Sequence, residues 1–136
     1  MYWVGDPGPW REGHNSVGLT APGTKWLLAE GRVGGPLEYQ TYILLGNPST
    51  TTAANVTITY LKTDGTTVTG TYTVPPTSRF NVFVNGLVPA LSNESFGSVI
   101  AVTNNVPIFV ERSLYWNAGG VVWSGGTNAT ATRLLP

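Results

Sequence analysis

The chain predicts an all-β protein, an immunoglobulin-like antiparallel β-sandwich of about seven or eight strands. Three observations lead there. Apolar residues recur with a period of two almost throughout, and Gly or Pro, 17 and 10 of them in 136 residues, breaks every candidate run before it reaches helical length. One segment, Ser98 to Thr103, is apolar on both faces and needs a second sheet stacked over it, with a closed barrel as the lesser alternative.

Trp26 to Glu30 reads as the first strand of the body and Glu38 to Leu45 as the second. In the third, Ala54 to Lys62, Val56, Ile58 and Tyr60 share one face and Thr57 and Thr59 the other. Thr66 to Val74 is the fourth, with Val68, Tyr72 and Val74 opposed to Thr67, Thr69, Thr71 and Thr73. A two-residue turn at Asp64-Gly65 would set Tyr60 opposite Thr69 and mismatch the whole hairpin. A three-residue loop of Thr63, Asp64 and Gly65 instead pairs Tyr60 with Val68 and Ile58 with Gly70, Gly65 supplying the positive φ such loops need. Pro75-Pro76 cannot continue a ladder, so the chain turns before a fifth strand, Arg79 to Val84. Val88 to Glu94 has room for one helical turn. Ser98 to Thr103 is expected to be central, and Pro107 to Trp116 and Val121 to Asn128 to form a last hairpin through Asn117-Ala118-Gly119-Gly120.

At 14.5 kDa the chain is the size of one domain. Charged residues make up 10% of it, seven basic against seven acidic, while threonine, at 19, is the commonest side chain. A neutral, hydroxyl-rich surface offers nucleic acid no counterion-releasing face. No apolar run approaches the roughly 20 residues that span a bilayer, so membrane insertion is not expected. Without cysteine there is no disulfide, thiolate nucleophile, iron–sulfur cluster or zinc ribbon. The low charge and the Thr, Gly, Asn and Ser enrichment suit an extracellular or cell-surface chain. Residues 1–7 lack the basic and apolar regions of a signal peptide, so an export signal is expected upstream.

The two ends repeat each other. Tyr2, Trp3, Trp10, Gly13 and Asn15 fall on Tyr115, Trp116, Trp123, Gly126 and Asn128 at one constant offset of 113 residues. Tryptophan is rare, and its spacing of seven recurs from Trp3–Trp10 to Trp116–Trp123. The offset defines the unit: residues 24–136 form one complete module. Residues 1–23 are the terminal hairpin of a preceding copy, or a strand-donating N-terminal extension. Met1 aligns with Leu114 in mid-strand, so it is expected to be an internal residue at a boundary rather than a biological start.

Trp26-Leu27-Leu28-Ala29-Glu30-Gly31, Thr41 to Pro48, Val74 to Arg79, Pro107 to Arg112 and Gly13-His14-Asn15-Ser16 together resemble an uncharacterised bacterial β-sandwich module. Modules of that kind occur as tandem repeats near the C-termini of large secreted or surface proteins. The ending Gly126 to Leu134 is similar to the terminal copy, which makes Pro136 an expected C-terminus. The resemblance implies an architecture and a location, and no catalytic residue.

Little here suits catalysis. His14 is the only imidazole, and its counterpart at the offset is Thr127, so a base is not expected at that position. Asp6, Glu12, Glu30, Glu38, Asp64, Glu94 and Glu111 form no recognisable carboxylate pair, and neither Lys25 nor Lys62 follows a phosphate-cradling Gly-rich turn. No calcium-loop pattern appears. The expectation is therefore no enzyme, no cofactor and no metal. By alternation Glu30 continues the face of Trp26 and Leu28, and Arg112 that of Ile108, Val110 and Leu114, so both charges are expected to point inward and to pair. Glu111 with Arg79 is the competing pair. Asn55, Asn93 and Asn128 match the N-glycan acceptor pattern, which arises often by chance in Thr- and Asn-rich sequence.

The six aromatics Tyr2, Trp3, Trp10, Tyr115, Trp116 and Trp123 are therefore the residues of interest. Repeated at each module end, they read as packing surfaces between neighbouring copies, within a chain or in a homo-oligomer or filament. The alternative is a carbohydrate-binding module whose rings stack on a surface polysaccharide.

Overall fold

The computed structural model describes residues 2–5 and 8–135, with the backbone alone for residues 2–5 and 8–12. Its strands are β1 (Tyr2–Gly5), β2 (Gly8–Gly13), β3 (Lys25–Arg32), β4 (Gln40–Asn47), β5 (Ala54–Lys62), β6 (Thr67–Val74), β7 (Ser78–Phe83), β8 (Ser95–Val102), β9 (Phe109–Ala118), β10 (Val121–Thr130) and β11 (Thr132–Arg133). A single helical turn, α1 (Val84–Leu87), and a 3-10 turn, Pro89–Leu91, lie between β7 and β8. Among the described residues, β1 and β2 pair only with each other. The other nine strands form the expected immunoglobulin-like antiparallel sandwich, one sheet ordered β10-β9-β4-β7 and the other β11-β3-β8-β5-β6.

The alternating pattern produces this arrangement directly. Along β4 and β8 every second residue is buried, so each sheet turns one apolar face toward the other. β8 is the middle strand of its sheet, and Ile100 is flanked by Trp26 on β3 and Ile58 on β5, all three fully buried. Ile43, Leu45, Val82 and Val110 meet them from the opposite sheet, joined by Ile108 just before β9. Polar groups enclosed here are satisfied. The Trp26 indole donates to the Gly23 carbonyl at 3.1 Å, and the Tyr60 hydroxyl meets that of Tyr72 at 3.2 Å. Burial, and then the bond to Tyr72, push the Tyr60 phenol far above its ordinary pKa.

The β5–β6 hairpin has the three-residue loop and the register derived above, Tyr60 opposite Val68 and Ile58 opposite Gly70. Gly65 takes a φ of +83°, and Asp64 closes the loop by accepting from both the backbone and the hydroxyl of Thr66 at 2.9 and 2.6 Å.

Elsewhere tertiary structure overrides the pattern. β11 is a ninth strand, two exposed residues paired with Leu27 and Trp26, too short to show alternation. The helical turn starts at Val84, inside the expected fifth strand, and the 3-10 turn follows within the expected helical stretch. The strand expected from Glu38 begins at Gln40, because Glu38 lies in a turn with φ +49°. The last hairpin turns on Gly119-Gly120 alone, with φ of +60° and +79°, and Ala118 pairs with Val121.

The most consequential departure is in β3. Leu28 pairs with Ser98 and Gly31 with Phe96, so Ala29 and Glu30 together face Gly97 in a β-bulge. The extra residue reverses the alternation, and Glu30 is exposed rather than inward-facing. Two glycines make room. A Cβ on Gly31 would stand 2.3 Å from the Phe96 ring, and one on Gly97 would stand 3.3 Å from the Leu28 carbonyl oxygen.

Candidate functional site

The two terminal hairpins are the same piece of backbone. In the first, Tyr2 pairs with Gly13, Trp3 with Glu12 and Gly5 with Gly8. In the last, Tyr115 pairs with Gly126, Trp116 with Gly125 and Ala118 with Val121, each partner 113 positions further on. The irregularity also recurs. Residues 9–11 stand opposite Val4, and residues 122–124 opposite Asn117, so Trp10 and Trp123 occupy the middle of equivalent bulges. The side chains of Tyr2, Trp3 and Trp10 lie outside the described residues.

In the closing hairpin the bulge is strained and well supported. Trp123 has a φ of +53°, a left-handed conformation that costs a bulky residue on the order of 1–2 kcal/mol. Its backbone N–H donates to Asn117 Oδ1 at 2.9 Å and its indole N–H to Gln40 Oε1 at 3.2 Å. The ring stacks on Tyr115 with centroids 5.1 Å apart. Asn117 also donates from its side-chain amide to Glu38 Oε2 and from its backbone to the Leu37 carbonyl, tying the hairpin to the turn before β4.

Tyr115 belongs to an aromatic row across the outer face of the four-stranded sheet. Phe83 stacks on Tyr42 at 4.9 Å, Tyr42 meets Tyr115 edge-on at 6.1 Å, and Trp123 completes the row. Burial, then the neighbouring Tyr115, raise the Tyr42 phenol pKa. Trp116 points the other way along β9, against Tyr39 at 5.8 Å, and its ring crosses Gly125 so closely that a Cβ there would stand 2.5 Å from it. Trp116 and Trp123 therefore belong to opposite faces of the hairpin and do not form one platform.

β1 and β2 lie against β10. Where the connection leaves β2, the His14 ring hydrogen-bonds Asn128 Oδ1 and tilts against Tyr115, while Asn128 Nδ2 donates to Ser16 Oγ at 2.6 Å. The single imidazole thus sits at the junction between hairpin and body. Asn55 and Asn93 are exposed, and Asn93 accepts from the Gly35 backbone N–H at 2.9 Å.

Arg112 Nη1 donates to Glu30 Oε2 at 2.8 Å, linking the two sheets. Glu111 and Arg79 are not an ion pair; they stand on different strands either side of β4, opposite Leu44 and Gly46. The bulge at Glu30 opens one end of the sandwich into a groove of about 500 Å³, lined by Glu30, Arg32, Tyr39, Lys62, Phe96 and Leu114 among others. Arg32 is held by Ser95 Oγ at 2.7 Å, and Lys62 bridges Glu94 at 3.0 Å and Asp64 at 3.3 Å, Glu94 contributing most to its raised pKa. Sequence reasoning missed this groove. Its signal was two glycines inside strand patterns, Gly31 and Gly97, which mark bulges and close approaches. Among the described residues no group of three His, Asp or Glu is placed to hold a metal ion.

No protein-family model matches the chain, and neither does any curated protein sequence. Among solved structures, the Thermotoga maritima 1070 protein is similar with a TM-score of 0.67 at 13% identity, over 82% of this chain and 94% of that one. The Anabaena sensory rhodopsin transducer is similar with a TM-score of 0.55 at 29% identity, over 69% of this chain and 98% of that one. The first match shows the fold alone. Both cover nearly all of the neighbour and leave part of this chain unmatched.

Proposed function

We propose that the chain is a non-catalytic structural module of an extracellular or surface protein, joined head to tail to like modules through its terminal hairpins. The observation that carries this is the shared register of β1–β2 and β9–β10, with the first hairpin seated on β10. A hairpin identical in pairing to the module's own end, resting on the module's edge strand, is what a tandem junction requires. The low charge, the Thr, Gly, Asn and Ser enrichment and the resemblance to tandem surface modules support the location.

The test is rotational. In 15N NMR relaxation of the full chain, the amides of β1 and β2 are expected to tumble with the sandwich as one body. A hairpin with its own short correlation time would remove the junction and the reading with it.

One observation favours a second reading, a carbohydrate-binding module. The groove at the β3 bulge combines apolar walls, Tyr39, Phe96, Leu61 and Leu114, with hydroxyl and charged groups at its rim. Titration of the full chain with a saccharide panel, followed by amide shifts, separates the two. Shifts confined to residues 29–32 and 95–97 favour the groove.

A further inference from the structure

We infer that the seat on β10 occupied by β1–β2 is a docking site for the β9–β10 hairpin of a second copy, and that β1–β2 is its cap in cis. The inference rests on the modular reading above. What fits the seat is on the page: the occupant has the pairing register, the bulge position and the aromatic spacing of β9–β10. A surface that accepts one of two equivalent hairpins accepts the other, and a free copy carries the second at its own edge.

The cap differs from its duplicate at two described points of contact with the seat. Asn128 is held by His14 and Ser16. At the same offset, a second copy's hairpin carries Thr127 and Ala129 in those places. The duplicate therefore has no imidazole to reach Asn128 and no hydroxyl in place of Ser16. The cap is also joined in cis by a short connection, largely exposed over residues 15–22, which ends where Gly23 bridges Ile108, and so acts at an effective concentration on the order of millimolar. Both features favour closure in cis, so a capped chain stays single at concentrations well below that value. Opening the cap exposes the seat and leaves β9–β10 available as a plug.

The experiment uses the full chain in sedimentation velocity over a wide concentration range. Trp3→Pro with Glu12→Pro breaks the β1–β2 ladder and leaves every residue of the buried core unchanged. This variant is expected to gain mass with concentration where the wild type does not. His14→Thr with Ser16→Ala, which gives the cap its duplicate's residues, is expected to fall between the two. Adding Asn128→Lys to the hairpin-broken chain, which sets an unpaired charge in the seat rather than removing a bond the duplicate makes, is expected to restore the monomer. A hairpin-broken chain that stays monomeric overturns the inference, and so does association unaffected by Asn128→Lys. If β1–β2 tumbles with the body yet the opened chain remains single, the junction reading survives and the second-copy site does not. If the hairpin tumbles freely in the wild type, both fall.

Discussion

Arg112 and Glu30 join the two sheets through one charge-assisted hydrogen bond of 2.8 Å, with the Arg112 side chain 4% exposed and the Glu30 side chain 68% exposed. The asymmetry follows from the bulge, which delivers a carboxylate from the solvent side to a guanidinium held among apolar neighbours. The two partners are therefore not equivalent under substitution.

Neutralising the carboxylate leaves an enclosed cation with an acceptor but without its counter-charge. Glu30→Gln is expected to lower stability by about 1–2 kcal/mol, a charged hydrogen bond discounted for the water that reaches Glu30. Arg112→Met keeps the volume and frees a carboxylate that water solvates, so its cost is expected to stay under about 1 kcal/mol. Urea unfolding of both variants checks the order, and a reversed order would show that guanidinium packing, not the pair, is what matters.

Gly31→Ala puts a methyl group into the Phe96 ring. Phe96 is enclosed and has little room to shift, so overpacking is expected to cost about 1–3 kcal/mol. Phe96→Leu in the same chain vacates the ring position and is expected to recover part of the loss. A Gly31→Ala protein as stable as the wild type would mean that the bulge yields instead.

The β5–β6 loop is expected to weaken in acid. Asp64 is held at a pKa of about 2 against an ordinary 3.8, chiefly by the Thr66 hydroxyl and backbone N–H and then by Lys62. A depressed folded-state pKa contributes stability above the unfolded value and loses it as pH falls toward the folded one. The stability gap between wild type and Asp64→Asn is therefore expected to be constant from neutral pH to about 4 and to close toward pH 2. A gap that persists unchanged at pH 2 would assign the effect to loop shape and not to charge.

Asn117 connects the strained Trp123 backbone to the turn at Leu37 and Glu38. Asn117→Ala is expected to cost about 0.5–1.5 kcal/mol, because it removes the bond to the Trp123 N–H and releases the Glu38 carboxylate at sites that water reaches. Hydrogen exchange gives the local readout: the Trp123 amide should lose protection while the Ile100 amide, in the central strand, keeps its own. Equal loss at both sites would mean global destabilisation.

The β5–β6 register was legible because both strands alternate strictly and the loop has only one length that matches apolar to apolar. β8 was legible as central for a similar reason. The bulge in β3 was not, since alternation through Ala29 and Glu30 looks regular until Gly97 stands opposite both. Asn47 was also missed. It is buried, and its amide reaches the carbonyls of Thr52, Val74 and Pro75 at 2.9, 3.0 and 3.1 Å, partners up to 28 positions away that no local pattern identifies. The terminal duplication was visible in five matched residues, while the seat it occupies depended on where β10 runs.

The order of amino acids alone determined an all-β chain, the loop at Asp64 and the equivalence of its two ends, because side-chain period, turn chemistry and rare tryptophans are local quantities. Only the folded molecule decided which way Glu30 points, that a groove opens beside it and that the first hairpin rests on the edge of the last. Those outcomes depend on strands brought together across long separations, where a single extra residue in one strand redirects everything after it.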